Sequence, residues 1–241
     1  MILKGKNVLI TGATGGLGSS LAAAYYEKGC NLILTARDKN KLNDLKSQLE
    51  ASSELSGTVV IDKCDFQNVN SVKELSKRIK NSVGRIDVLV NCAGIFTINA
   101  IDEVEIEDYQ KCIDINLTAP IILIQEFIEE MKKNSWGRII NIASSSAYGA
   151  APNTSVYSAT KHALLGLSRS LYKELKPHGI RVICVSPGTI KTPMGKEVTK
   201  LGQDYDTFMD AEEVSRYIVF NTELNNHMIS EEIRLNRVYT Q

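Results

Sequence analysis

The chain has no excess charge of either sign: Lys and Arg together number 28, as do Asp and Glu, and no basic run concentrates them. That excludes a net field able to draw nucleic acid or an anionic membrane surface. Long apolar runs are also missing; the longest, near Pro120 to Ile124, is far too short to cross a bilayer. The five cysteines, Cys30, Cys64, Cys92, Cys112 and Cys184, form no C-x-x-C pair. Their odd count and irregular spacing argue against a disulfide framework and for small buried thiols in a reducing compartment. The three histidines, His162, His178 and His227, have no metal-ligand spacing, so no metal site is expected. Repeats, low-complexity tracts and interdomain linkers are absent, and a first strand starting by about Asn7 leaves no room for a cleaved leader. These absences predict a soluble, cytoplasmic protein without nucleic-acid or membrane partners.

What is present is a regular alternation. Short apolar runs at Asn7–Thr11, Asn31–Thr35, Thr58–Ile61, Asp87–Val90, Arg138–Ile142, Arg181–Val185 and Ile233–Leu235 read as strands. Between them lie helical patterns, one opened by Asp38 and others covering roughly Asp114 to Lys133, Val156 to Leu175 and Ala211 to Phe220. A strand–helix unit about every thirty residues implies right-handed crossovers. The expected fold is therefore α/β: a Rossmann-type, doubly wound parallel sheet of about seven strands with helices on both faces. Residues 1–241 read as a single dinucleotide-binding and catalytic domain, with a short polar substrate loop over about 189–210.

In such a sheet, ligands bind beyond the carboxyl ends of the strands, and each motif of this chain falls there. Thr11-Gly-Ala-Thr-Gly-Gly-Leu-Gly18 follows the first strand and opens the first helix. Its backbone N–H groups suit a pyrophosphate, which makes Gly12, Thr14, Gly16, Leu17 and Gly18 cofactor candidates. The second strand ends at Ala36-Arg37 where enzymes using NAD commonly carry an acid. An arginine there would hold the extra phosphate of NADP, with Thr14 as a second contact, so NADP(H) is favoured over NAD(H). Asp38, next to it, reads as a helix cap. Asp65 is placed to meet the adenine edge, and the small residues of Asn91-Cys-Ala-Gly94 let the backbone approach the adenosine ribose.

Tyr157 and Lys161 stand at i and i+4 in a helical pattern, side by side, with Ser144 thirteen residues before the tyrosine. An adjacent ammonium favours the phenolate and should bring Tyr157 toward a working pKa. With Asn116 and the Pro187-Gly188 segment through Thr192, these elements resemble the short-chain dehydrogenase/reductase family, in order and approximate spacing, from residue 6 to about 192.

The resemblance implies that Tyr157 is the general acid of reduction and the base of oxidation. It implies that Lys161 binds the nicotinamide ribose and lowers the Tyr157 pKa, and that Ser144 bonds the substrate oxygen. Asn116 would position a water linking Lys161 to solvent, while Pro187, Gly188, Ile190 and Thr192 would hold the nicotinamide carboxamide. Asn91, Ala93 and Gly94 remain cofactor residues. Two departures stand out: Cys92 replaces the family's usual second asparagine, and the C-terminus lacks Asp-Gly-Gly. The second makes a homotetramer less secure than a homodimer built on the apolar helix carrying Leu164, Leu167 and Leu171. Phe96, Tyr148, Asn153, Thr154 and Met194 are the expected substrate lining. The expected reaction interconverts a carbonyl and a secondary alcohol on a small polar hydroxy or keto compound. A 3-oxoacyl-thioester reductase is the second reading, and a non-enzymatic dinucleotide sensor the third.

Overall fold

Successive strand residues point to opposite faces, and in this chain both faces are apolar. Val8, Ile10, Leu32, Leu34, Val88 and Val90 enter one core layer, while Leu9, Ile33, Leu89, Ile139 and Val182 enter the other. A sheet dry on both sides needs helices on both sides, which requires parallel crossover connections. The computed structural model describes residues 2–52, 57–225 and 228–238; His227 lies outside them. Among the described residues the strands are β1 (Asn7–Thr11), β2 (Asn31–Ala36), β3 (Val59–Lys63), β4 (Val88–Asn91), β5 (Gly137–Ile142), β6 (Ile180–Pro187) and β7 (Glu232–Leu235). They form one sheet in the order β3-β2-β1-β4-β5-β6-β7, parallel throughout.

The first layer is closed by Leu17, Leu21 and Tyr25 of α1 (Gly16–Tyr26), Leu42 and Leu45 of α2 (Lys39–Ser52), and, from further along the chain, Val214 and Ile218. The second is closed by Val72, Leu75 and Ile79 of α3 (Val69–Ser82), and by Leu123, Phe127 and Met131 further along. Because β2 and β3 wind to one side of β1 while β4 to β7 wind to the other, a crevice opens between the ends of β1 and β4. Thr11 staples that crevice. Its Oγ1 accepts hydrogen bonds from the backbone N–H of Cys92 (3.0 Å) and of Ala93 (2.9 Å).

Two expectations need correction. The long helix expected from Asp114 is α4 (Ile106–Ile113), a π turn over Asp114–Thr118 and α5 (Ala119–Lys133). Pro120 has no N–H to return to the Asn116 carbonyl, so an unbroken i→i−4 ladder cannot pass that point. The second case is the polar loop after β6. Thr192 Oγ1 accepts from Gly195 N at 3.0 Å and Pro193 takes the first helical position, which starts the short helix α7 (Pro193–Val198). The remaining helices are α6 (Ser155–Leu175) and α8 (Ala211–Glu223). No described helix is long and apolar enough to cross a membrane.

Candidate active site

At the glycine turn the main chain passes too close to its neighbours for any side chain. Gly12 has φ +65°, and a Cβ there would stand 2.8 Å from Ala93 Cα; one on Gly18 would stand 2.2 Å from Gly12 O. The N-cap of α1 is Gly15, which offers no side-chain cap, and the first turn carries no acid. Its N–H groups and the positive end of the helix dipole are thus left for an anion.

The cleft beside this turn has a volume of about 1290 Å³ and runs from the ends of β2 and β3 to the start of α6. Its β2–β3 end is bordered by Arg37, Lys39, Lys41 and Lys63. Asp38 lines the same end but is engaged as a cap: its Oδ1 accepts from the N–H of Asn40 (2.9 Å) and Lys41 (3.2 Å). The four basic side chains and the open helix N-terminus suit the phosphates of a dinucleotide.

The other end holds Ser144, Tyr157 and Lys161. Ser144 Oγ accepts from Ser146 N at 3.1 Å, which leaves its own O–H to donate elsewhere. The Tyr157 ring packs edge-on against Phe96 with centroids 4.8 Å apart. Lys161 Nζ lies 5.7 Å from the Tyr157 ring centroid and donates to the Ile142 carbonyl at 2.9 Å.

Burial sets both titrations. It pushes the Tyr157 phenol up to about 12, opposed by hydrogen bonding with Ser144, and pulls the Lys161 ammonium down to about 8. The expectation that Lys161 brings the phenol toward neutrality is therefore corrected: burial sets the direction, and Ser144, not Lys161, is the group that opposes it. At neutral pH the site holds a neutral phenol and a protonated lysine. That is the state a general acid for a carbonyl oxygen requires.

Asn116 is buried beneath this pair. Its Oδ1 accepts from Ile95 N at 2.9 Å, and its Nδ2 donates to Ile95 O (3.0 Å), Thr160 Oγ1 (3.1 Å) and Cys112 Sγ (3.4 Å). It thereby joins the β4 exit, the π turn and the residue before Lys161.

Most of the expected site residues line one cleft: Gly12, Thr14, Gly16, Leu17, Gly18, Ala93, Gly94, Pro187, Gly188, Ile190 and Thr192, with Phe96, Thr154 and Met194. Four do not. Asn91 is 2% exposed and gives its Nδ2 to Asn141 Oδ1 at 2.8 Å, because its side chain points along the sheet interior. Asp65 accepts from Gln67 N in a local turn. The Tyr148 hydroxyl reaches toward β7 and donates to Glu232 Oε2 at 2.5 Å. Asn153, at φ +63°, borders a separate small cavity with Thr97 and Tyr109. Residues of the cleft that the motifs did not point to include Lys39, Lys41 and Lys63, Ser145 and Ser146, and Leu201 and Gln203. The basic cluster was open to detection, since all three lysines lie within a few residues of predicted strand ends.

Sheet order and a cleft at the switch point define a Rossmann-type α/β protein. The short chain dehydrogenase family matches residues 6–201, and the chain belongs to that family. An uncharacterized oxidoreductase of Staphylococcus saprophyticus is 33% identical over 192 residues, 80% of this chain and 81% of the relative. The alcohol dehydrogenase of the archaeon Thermococcus sibiricus, solved with 5-hydroxy-NADP, is 26% identical with a TM-score of 0.88, over 99% of both chains. L-sorbose reductase from Gluconobacter frateurii, solved with NADPH and L-sorbose, is also 26% identical at a TM-score of 0.88, over 99% of this chain and 98% of that one.

Proposed function

We propose that this chain is an NADP(H)-dependent oxidoreductase that interconverts a carbonyl and a secondary alcohol on a small polar compound. One observation carries the reading: a neutral, buried Tyr157 phenol shares a cleft with Ser144 and Lys161, while four basic side chains border the far end of that cleft. NADPH complexes of proteins with the same fold support the cofactor assignment. When bound, the nicotinamide supplies or takes up the hydride.

The chain's own residues do the rest. The glycine turn and the N-terminus of α1 hold the pyrophosphate, and Arg37 with its neighbouring lysines holds the additional phosphate. Lys161 binds ribose hydroxyls. The Ser144 O–H donates to the substrate oxygen and fixes it beside Tyr157, which gives that oxygen its proton in reduction and takes it back in oxidation. Phe96 against the Tyr157 ring and the apolar side chains of α7 keep water from the reacting carbon. Residues 1–241 act as one dinucleotide-binding and catalytic unit, with the segment 189–210, which carries α7, as its substrate-facing part. Exposed Ala163 and half-exposed Leu167 and Leu171 on α6 support a homodimer.

The test is consumption of NADPH and NADH across chemically diverse ketones, aldehydes and sugars. Turnover with a lower KM for NADPH is expected. Tight NADPH binding without turnover of any compound would sink the reaction and favour a dinucleotide sensor.

A further inference from the structure

Gln203 lines the cleft from the turn that follows α7, and its amide is held in one orientation. Its Oε1 accepts from Thr189 Oγ1 at 3.1 Å and from Arg237 Nη2 at 3.0 Å. A guanidinium can only donate, so the group facing Arg237 must be the oxygen; the reversed amide would set donor against donor. Both lone pairs of Oε1 are thereby used, and the NH2 has no partner among the described residues. The side chain has only donor capacity left.

The surroundings keep it there. Arg237 also donates to Thr207 Oγ1 at 2.8 Å and stacks on Phe208, its guanidinium 5.4 Å from the ring centroid. Phe208 itself is 4% exposed. Backbone bonds from Met209 N to Thr189 O (3.1 Å) and from Lys191 N to Met209 O (2.8 Å) zip the loop to the end of β6. An arginine bonded to the amide oxygen also draws charge from the nitrogen, which strengthens N–H donation. Arg237 does not line the cleft, so its charge is felt there through Gln203.

We propose that Gln203 is a specificity-determining residue whose amide N–H groups, oriented by Arg237 and Thr189, recognise an acceptor oxygen on the substrate remote from the reacting carbon, a carboxylate ahead of a hydroxyl. The assignment rests on the carbonyl–alcohol reaction proposed above and narrows its substrate class to oxygen-bearing carbonyl compounds, keto acids first. Met194, Val198 and Leu201 of the same segment line the cleft with apolar side chains, and Gln203 adds an amide donor to them. A site that donates to a substrate oxygen discriminates against the analogue lacking it, because the half-buried donor, already oriented by Arg237 and Thr189, then has no acceptor in the cleft.

The probes are 3-oxobutanoate, 4-oxopentanoate and 5-oxohexanoate, each against the hydroxy ketone and the plain methyl ketone nearest in skeleton, with saturating NADPH. For the wild-type chain, kcat/KM should fall in the order keto acid, hydroxy ketone, plain ketone. Gln203→Leu keeps the volume and removes the donor; it should raise KM for the preferred keto acid by about tenfold with kcat little changed, and leave plain ketones within about twofold. Gln203→Glu keeps both bonds to the oxygen but offers no donor, and should lose keto acids more severely. Arg237→Met, which frees the amide to turn, should lose part of the preference.

Unchanged NADPH affinity and Tm in Gln203→Leu would separate recognition from support of the fold. Equal losses on all three substrate types, or an unchanged ratio, would overturn the assignment. So would a wild-type preference for plain ketones, with the proposed reaction left standing. If the wild-type chain binds NADPH and reduces no carbonyl compound, the reaction itself fails and takes this assignment with it.

Discussion

The Lys161 ammonium donates to the carbonyl of Ile142, the last residue of β5, at 2.9 Å, so a buried cation is held in place by a strand end. Lys161 is 5% exposed, and among the described residues no carboxylate pairs with it. Such a site is costly, and the cost has a pH signature.

Burial holds the folded-state pKa of Lys161 at about 8, below the 10.5 of the unfolded chain. Below pH 8 both states carry the proton and the folded state bears the full penalty, on the order of 3 kcal/mol, comparable to one or two buried leucines. Between about 8 and 10.5 the unfolded chain binds more protons, so stability rises with pH across that window. Lys161→Met should therefore be inactive yet more stable than wild type at pH 7, by roughly 2 kcal/mol after the lost hydrogen bond. Its advantage should shrink toward pH 10. Paired denaturant melts of the two proteins across pH measure this; a gap that stays constant or widens with pH would contradict a charged, uncompensated lysine.

Tyr157→Phe removes one hydroxyl from a side chain that is 7% exposed and keeps the ring against Phe96. The phenol pKa of about 12 means that the proton is present throughout the neutral range, so the variant lacks a donor at every pH. Turnover should fall by at least about 10²-fold while NADPH affinity stays within a few fold. Steady-state kinetics with fluorescence titration of NADPH decides it, and near-normal kcat would refute Tyr157 as the acid.

Much of this was legible in the chain itself. Every strand was visible, because strands dry on both faces are continuous apolar runs closed by turn residues, and boundaries moved by only a few residues. Gly12 and Gly18 were legible because backbone approach leaves no alternative to glycine. What stayed hidden depends on three-dimensional neighbours. Asn91 looks like a ligand-facing residue until β5 supplies Asn141 as its partner. Tyr148 looks like substrate lining until β7 brings Glu232 within 2.5 Å. The Tyr157 pKa could not be read from an i, i+4 lysine, since desolvation depends on packing that spacing does not encode.

The basic end of the cleft predicts a divided response to cofactor. Arg37 is exposed and makes no ion pair among the described residues, so it is available to a phosphate. Arg37→Ala should raise KM for NADPH by about tenfold or less, because Lys39, Lys41 and Lys63 remain, and leave KM for NADH nearly unchanged. Adding Lys39→Ala and Lys41→Ala should bring the two cofactors close to parity. The NADPH effect should weaken as salt is added. Equal loss with both cofactors would mean that these residues serve the fold or the shared pyrophosphate instead.

Gly94 separates two polar groups that a methyl would crowd. A Cβ at this position would stand 3.3 Å from Asn116 Oδ1 and 3.6 Å from Lys161 Nζ. Neither distance is a severe clash, and Gly94 is not among the glycines at positive φ, so Gly94→Ala should fold with a Tm close to wild type. The alanine would nevertheless fill the gap through which a water could bond both Asn116 Oδ1, which has a lone pair to spare, and the Lys161 ammonium. If protons leave Tyr157 by way of Lys161 and such a water, Gly94→Ala should lower kcat about tenfold or more, with KM for NADPH changed far less. Asn116→Ala, by contrast, strips the Ile95 N–H and C=O of their partners and should cost stability as well as rate. Comparing kcat, KM and Tm for the two variants separates proton passage from scaffolding. A Gly94→Ala enzyme with wild-type kcat would show that no proton needs the space beside Gly94.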